Sequence, residues 1–203
     1  MAAGVDWNNE KGVAVTNYLI DLINNPKCAY DGEISVSELV GDHRLGAWFD
    51  GSWNYDLYKE ALGDDLGIAT IPTFNPDGTD YQLLGFYGSK CIGVNAKSQN
   101  MAAAVAFAAY LGNEENQLLR YKLSAQIPAN MAAGESEEVK ADPLAAVIVK
   151  EANEASVAQP ANSVFSTRYW TYANTIPTEI RSKEITKDNV QEKLDTFVDA
   201  MTK

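Results

Sequence analysis

The chain has 203 residues, 46% of them hydrophobic and 22% charged, and a formal net charge of -12 at pH 7. This length can bury a substantial core in one large domain or two small ones. The acidic balance disfavours nucleic acid as a partner, because phosphates require a basic surface, and it favours a soluble monomer.

The first part of the chain combines helical and extended patterns. Apolar residues at helical spacing predict the first helix, and a capping-box sequence at 35–38 predicts the second. In chain order we predict a helix over 8–25 that ends before Pro26, a short helix after Ser35, a strand over 44–50, and a helix from Trp53 to Gly63.

A segment rich in strand patterns follows. We predict strands over 66–71, 81–87 and 90–95. The sequence Asn-Pro-Asp-Gly at 75–78 is typical of a tight turn. No regular alternation of strands and crossover helices is present, so a mixed sheet covered by helices is the favoured architecture.

The remainder of the chain is predicted to be mainly helical. Asn113 is a capping residue, and proline suits a first helical turn, which places a helix start at Asp142-Pro143. The predicted elements are helices over 100–111 and 113–123, a helix from 142, an extended stretch over 158–163, a helix from 165 with a break at Pro177, and a last amphipathic helix over 190–201 with Thr186 near its cap.

The two cysteines and the N-terminus carry limited information about the compartment. Cys28 and Cys91 lack the spacing of a disulfide framework or a zinc site, so two free buried thiols are favoured, with one disulfide as the alternative. The most apolar run, 101–111, is shorter than the roughly 18 residues of a membrane span. Residues 1–4 do not form a signal peptide, which leaves a cytoplasmic protein or an exported one without its leader.

Candidate catalytic residues are few. His43 is the only histidine and lies in a polar turn, so we expect an exposed loop residue; a Cys28–His43 nucleophile pair is the alternative. Acid pairs at 64–65, 114–115 and 137–138 lie at helix ends or in polar stretches, where carboxylates favour solvent or helix N-termini. We predict no catalytic residue, no metal site and no cofactor.

The aromatic residues are more informative. The chain has four tryptophans and ten tyrosines. Trp53 follows Gly51-Ser52 where a predicted strand gives way to a helix, a common position for ligand contacts, and Trp170 lies in a polar-aromatic run. An indole ring matches the C–H face of a sugar, so core packing and ligand stacking are both open for these two. Core packing or surface coverage is favoured for Trp7 and Trp48.

An ordered series of segments resembles the bacterial maltose/maltodextrin-binding proteins, the extracellular solute-binding proteins of ABC sugar importers. The series covers 5–201 and matches only the C-terminal half of such a protein. Its members are Trp-Phe-Asp-Gly-Ser-Trp-Asn at 48–54, Leu-Gly-Ile-Ala-Thr-Ile-Pro-Thr-Phe at 66–74, the segments 85–95 and 102–111, the helix at Asp142-Pro143, the pair Tyr169-Trp170, and the helix at 189–194.

The resemblance implies an α/β fold of the periplasmic-binding-protein-like (type II) class. The expected lobe has a mixed sheet covered by helices and is incomplete without the N-terminal half. Residues 1–87 and 131–203 would belong to the second, C-terminal lobe, and 88–130 would be an excursion into the first, N-terminal lobe. Strand edges in that excursion would then lack partners within this chain.

The resemblance also implies a ligand and its site. Trp53 matches a family tryptophan that stacks on the sugar, and Tyr169-Trp170 matches a second such aromatic, so Trp53, Trp170 and Tyr169 are the predicted ligand-binding residues. The family's charged first-lobe residues that bond the sugar hydroxyls are absent from this chain. We therefore expect weak binding, or none, by these 203 residues alone.

The implied ligand is an oligosaccharide of the maltose/maltodextrin type, and the implied partner is an ABC permease. The intact protein would be a monomer, either lipid-anchored on the extracellular face of the cytoplasmic membrane or in the periplasm, with its signal sequence outside this chain. Three alternatives stay open: a fragment of an extracellular carbohydrate-active enzyme, a binding protein of the same family for another small ligand, and a module without a ligand.

Overall fold

The computed structural model describes residues 5–29 and 35–202. Helices dominate these ranges. They are α1 (Glu10–Ile23), α2 (Val36–Gly41), α3 (Tyr55–Leu62), α4 (Met101–Leu111), α5 (Glu114–Ser124), α6 (Met131–Gly134), α7 (Glu137–Lys140), α8 (Pro143–Glu154), α9 (Ser163–Ala173), α10 (Ile176–Arg181) and α11 (Val190–Thr202). The strands are β1 (Thr73–Phe74), β2 (Tyr81–Gln82), β3 (Gly85–Tyr87) and β4 (Ser156–Ala158).

The chain divides into two compact units, each assembled from separate stretches of sequence. The first unit comprises Met1–Trp48, Pro72–Leu83 and Gln159–Lys203. The second unit comprises Phe49–Ile71 and Leu84–Ala158.

The core of the first unit is formed by isoleucines. Ile20 and Ile23 on the inner face of α1 meet Ile180 of α10 and Ile185 of the following turn. Ile180 is completely buried. Helix α1 begins at Asn9, whose side chain accepts a hydrogen bond from the backbone N–H of Gly12. The predicted first helix is thus confirmed, and its apolar spacing brings the isoleucines to the core.

A small antiparallel hairpin also belongs to the first unit. Strands β1 and β2 pair with Phe74 opposite Tyr81. The Asn75 side chain accepts a hydrogen bond of 2.7 Å from the backbone N–H of Gly78, which has a φ of +91°. That left-handed conformation favours glycine and explains why the Asn-Pro-Asp-Gly turn forms here as predicted.

The second unit contains the parallel pair of strands. Strand β3 pairs with β4, with Phe86 opposite Val157. Helix α8 leads into β4, and its Glu151 carboxylate accepts a hydrogen bond of 3.1 Å from the backbone N–H of Ile71. The predicted mixed sheet is represented in the described residues by these two separate ladders, one antiparallel and one parallel.

Three predicted strands are wrong. Residues 44–50, 66–71 and 90–95 are not in strands, and the predicted strand over 81–87 is divided between β2 in the first unit and β3 in the second. None of the ladders within the described ranges includes the three missing strands. Pairing depends on a neighbour that is distant in sequence, and a local apolar pattern does not reveal that neighbour.

The helix predictions are largely confirmed. The break near Pro177 falls just before it, because this proline lies in the first turn of α10. The predicted capping-box bond is wrong: Ser35 caps α2 without a side-chain bond to the backbone. The four-residue helices α6 and α7 were not predicted, since they are too short to show a helical period.

The cysteines are free, but they are not buried as predicted. Cys28 is half-buried and Cys91 is exposed. Among residues 5–29 and 35–202, no helix is long and apolar enough to cross a membrane, and no cluster of histidine, cysteine and carboxylate side chains could hold a metal ion.

Asp142 is a junction between α5 and α8. One of its carboxylate oxygens caps α8 by accepting from the backbone N–H of Leu144 at 2.8 Å, and the other accepts from the Tyr121 hydroxyl at 2.7 Å. Burial and this hydrogen bond raise the pKa of Tyr121 to about 12. The first bond caps α8, and the second joins its start to α5.

Replacing Asp142 by alanine is therefore expected to lower the free energy of opening the first turn of α8 by about 2 kcal/mol, the sum of a lost cap and a lost hydrogen bond. Hydrogen exchange of the α8 amides measures this loss. Asp142→Asn is the matched control, because its single amide oxygen can still accept from the Leu144 N–H and keep the cap, while its amide NH2 group can donate to the Tyr121 hydroxyl. Equal exchange rates in the two variants would contradict the junction.

Candidate functional site

Trp53 lies in the second unit, in a short 3-10 turn (Ser52–Asn54) that leads directly into α3. Its side chain is 82% exposed. The six-membered part of the indole lies back against Gly51, where any Cβ atom would overlap it. The ring is therefore supported by the main chain while most of its surface is open to solvent. Such an exposed apolar face is suited to stacking against a ligand.

The carboxylate of Asp50 organises this turn. It accepts hydrogen bonds from the backbone N–H of Gly51 at 2.7 Å and from the Asn54 side chain at 3.0 Å, and a short one from the Tyr58 hydroxyl. Burial opposes ionisation of Asp50. The bonds from Tyr58, Asn54 and Gly51 outweigh this opposition, so its pKa lies below the ordinary value.

Trp170 and Tyr169 lie in the first unit, on α9. Trp170 is 44% exposed, and its ring meets the Tyr169 ring edge-on with centroids 5.0 Å apart. Tyr169 is half-buried and stacks on Phe165 at 4.8 Å, with an interplanar angle of 10°. Burial raises the pKa of Tyr169. Trp170 is thus an accessible ring that rests against a packed neighbour.

An aromatic cluster lies behind this neighbour. Trp7 stacks on Phe197 at 5.1 Å and meets Tyr169 edge-on at 5.8 Å. Phe165 is buried, and a hydrogen bond of 2.7 Å from the Arg168 guanidinium to the carbonyl of Ala200 ties α9 to α11. Trp7 is half-buried and packs among aromatic rings, in agreement with the prediction of core packing or surface coverage.

The structure brings two of the three predicted ligand-binding residues into contact. Tyr169 and Trp170 are neighbours in the first unit, whereas Trp53 belongs to the second. Two residues that hold the Trp53 turn, Asp50 and Tyr58, were not predicted from the sequence. The only local indication was an aspartate directly before Gly51-Ser52, and the eight-residue separation of Tyr58 concealed its role.

The residues considered as catalytic alternatives, His43 and the three acid pairs, are exposed to solvent. His43 is exposed with a φ of +56°, directly after α2, which confirms the expected loop residue. In the acid pairs, Asp64 is an exposed partner of Lys59, and Glu138 forms an ion pair of 3.1 Å with Lys122. These carboxylates have surface ion-pair partners, as is ordinary for solvated acids.

Comparison with known proteins decides the family. Residues 1–147 match the family described as bacterial extracellular solute-binding protein. The chain belongs to this family. Its members bind solutes and are not enzymes, in agreement with the prediction of a binding protein.

A curated relative and two solved structures extend this result. The maltooligosaccharide ABC transporter solute-binding lipoprotein of Streptococcus pneumoniae is 32% identical over 154 residues, or 74% of this chain and 36% of that protein. A structure solved with acarbose has a TM-score of 0.86 and 40% identity, covering 99% of this chain and 54% of that one. The maltodextrin-binding protein of L. casei BL23, solved without ligand, has a TM-score of 0.85 and 27% identity, covering 98% and 54%.

The predicted fold class, a partial periplasmic-binding-protein-like lobe, is confirmed by these structural matches. The chain spans about half the length of the two solved proteins it matches, at 54% of each. It spans 36% of the length of the curated relative.

Proposed function

We propose that this protein is the sugar-binding component of an ABC importer and captures maltodextrin-type oligosaccharides. The observation that carries the proposal is the exposure of Trp53 and Trp170, at 82% and 44%, at the two positions where the family resemblance expects sugar-stacking rings. The relative described as a maltooligosaccharide-binding lipoprotein supports the ligand class.

In the proposed mechanism, each indole covers the C–H face of a glucose ring. Aromatic contacts of this kind contribute about 1 kcal/mol each beyond the burial of apolar area. Sugar contacts favour a closed arrangement of the two lobes of the intact protein, and that closed state is the form presented to the permease. The reaction is capture and delivery, so no bond in the sugar is broken.

Tyr169 has a supporting role in this proposal. Its ring stacks on Phe165 and makes a T-shaped contact with Trp7. The ring of Trp170 is the more accessible of the two and is the better candidate for direct sugar contact. Tyr169 then contributes by fixing the orientation of Trp170.

We further propose the lobe assignment implied by the family: residues 1–87 and 131–203 in the second lobe, and 88–130 in the first. Helix α4 supports this division, because none of its residues is buried and Phe107 and Tyr110 are 62% and 56% exposed. In a protein of the relatives' length, this apolar face would pack against other parts of the first lobe.

The proposed location is the outer side of the cytoplasmic membrane, either lipid-anchored or periplasmic. The description of the pneumococcal relative as a lipoprotein supports the anchored form.

A glycan titration of the chain labelled with 5-fluorotryptophan tests the proposed function. We expect millimolar maltotetraose to shift the fluorine resonances of Trp53 and Trp170. The resonance of Trp7, packed among aromatic rings, is the internal reference and should stay in place. Binding by this chain alone should be weak, with a Kd near 1 mM or about -4 kcal/mol, because the first-lobe hydrogen-bonding groups are absent.

The other outcomes separate the alternatives. Shifts with galactooligosaccharides but not with maltotetraose would indicate another ligand in the same family. Shorter sugars in the sample after incubation would favour the carbohydrate-active enzyme. No shift with either sugar, for this chain and again for a protein that also supplies the first lobe, would contradict the proposed function. A micromolar Kd for this chain alone would contradict the expected need for the first lobe.

A further inference from the structure

We infer that Asp50 is a positioning residue that holds Trp53 in its ligand-ready orientation without itself contacting the sugar. This inference deepens the proposed function and rests on it for the identity of the ligand. Its structural basis is the set of hydrogen bonds that one carboxylate makes on both sides of Trp53 in the sequence.

The hydrogen bonds of Asp50 join residues that lie before and after Trp53 in the sequence. Asp50 accepts from Gly51 N–H at 2.7 Å before Trp53, and from the Asn54 side chain at 3.0 and 3.2 Å after it. The turn between these two points is closed by a backbone bond of 3.2 Å from Asn54 N–H to the carbonyl of Gly51. One carboxylate therefore bonds to the main chain of Gly51 before Trp53 and to the side chain of Asn54 after it.

The ring depends on the same turn. The indole of Trp53 lies against Gly51, in the space that a Cβ atom would occupy. A shift of Gly51 would remove the surface on which the ring rests. The bond from Asp50 to Gly51 N–H thus acts on the ring through the backbone.

The turn is anchored to the body of the second unit by Tyr58. This residue lies one turn into α3, is only 6% exposed, and donates its hydroxyl to Asp50. A buried donor that faces a carboxylate holds that carboxylate in one place. An exposed tryptophan held in this way loses less conformational freedom on binding than a mobile one, and affinity rises accordingly.

The test compares three variants of the fluorotryptophan-labelled chain. In Asp50→Asn we expect the Trp53 resonance of the sugar-free protein to move toward that of a mobile indole and to narrow. Maltotetraose affinity should fall by about threefold to tenfold, the range expected when one side chain must be ordered on binding. An asparagine retains an acceptor for Tyr58, so the variant should fold.

The two matched variants define the comparison. Gly51→Ala should produce the same change in the Trp53 resonance, because its Cβ displaces the ring. Asp56→Asn removes an equal charge from an exposed position in the first turn of α3 and should leave both the resonance and the affinity unchanged.

The resonance and the affinity separate this inference from the proposed function. An unchanged Trp53 resonance in Asp50→Asn overturns the inference. If the affinity falls while that resonance is unchanged, direct sugar contact by Asp50 is favoured instead. A shifted, narrowed resonance supports positioning by Asp50 even where the wild-type chain binds no glycan, because that resonance is measured in the sugar-free protein.

Discussion

Replacing Trp53 by alanine is expected to weaken maltotetraose binding by about tenfold, equivalent to about 1.4 kcal/mol. The lost energy is the contact between the indole face and one sugar ring. Because the side chain is 82% exposed, its removal creates no cavity, and the free energy of unfolding should change by about 0.5 kcal/mol or less.

Trp170→Ala should weaken binding by a similar factor. Trp170 is 44% exposed and touches Tyr169, so this variant should also lose a small amount of stability that Trp53→Ala does not. Fluorine shifts of the remaining tryptophans, followed over a maltotetraose titration, measure both affinities.

Phe49→Ala is the matched control for Trp53→Ala. Phe49 is also aromatic, lies four residues earlier and is 64% exposed, but it is not among the predicted ligand-binding residues. Its removal should leave the affinity unchanged. Unchanged affinity in both tryptophan variants would contradict the site assignment, and an equal loss in Phe49→Ala would show that exposed aromatic surface in general, not a defined site, binds the sugar.

Ile180→Ala is expected to lower the free energy of unfolding of the first unit by about 3 to 4 kcal/mol, within the range for large-to-small changes of buried aliphatic residues. Ile180 is 0% exposed and packs with Ile20, Ile23 and Ile185. Three methyl or methylene groups are lost, and the helices around the cavity are held by their own hydrogen bonds and can close it only in part.

Urea unfolding followed by the fluorine resonance of Trp7 reports on the first unit, to which Trp7 belongs. Leu22→Ala is the control, because Leu22 lies on α1 beside the isoleucines but is 42% exposed. It should cost about 1 kcal/mol or less. Equal losses in the two variants would show that Ile180 is not the centre of this core.

Local chemistry explains which parts of the fold could be predicted. The cap at Asn113, the cap and proline at Asp142-Pro143, and the turn that ends at Gly78 each depend on bonds between residues two or three positions apart. Such bonds need only residues that are close in sequence, so the pattern and the structure agree at these three sites. The capping-box sequence at Ser35 is the exception, because its side chain makes no cap bond.

The strands show the opposite case. Residues 66–71 have a strand-like composition, yet they lie outside the strands of the described part of the chain. Strand β3 finds its partner β4 about 70 residues away, a distance that follows from Gly85 lying opposite Ser156. Such pairing is decided by the packing of the whole unit and is not written into the alternation of residues.

The sequence by itself determined most of the helices, several of their caps, the acidic net charge and, through the family resemblance, the tryptophans predicted to bind the ligand. Only the tertiary structure decided that Trp7 packs among aromatic rings whereas Trp53 is exposed to solvent. It also decided that Asp50 holds the turn that carries Trp53. The physical reason is the separation in sequence of the residues that interact. Caps and turns are short-range bonds, whereas burial and the bond from Tyr58 to Asp50 depend on where the fold places each side chain.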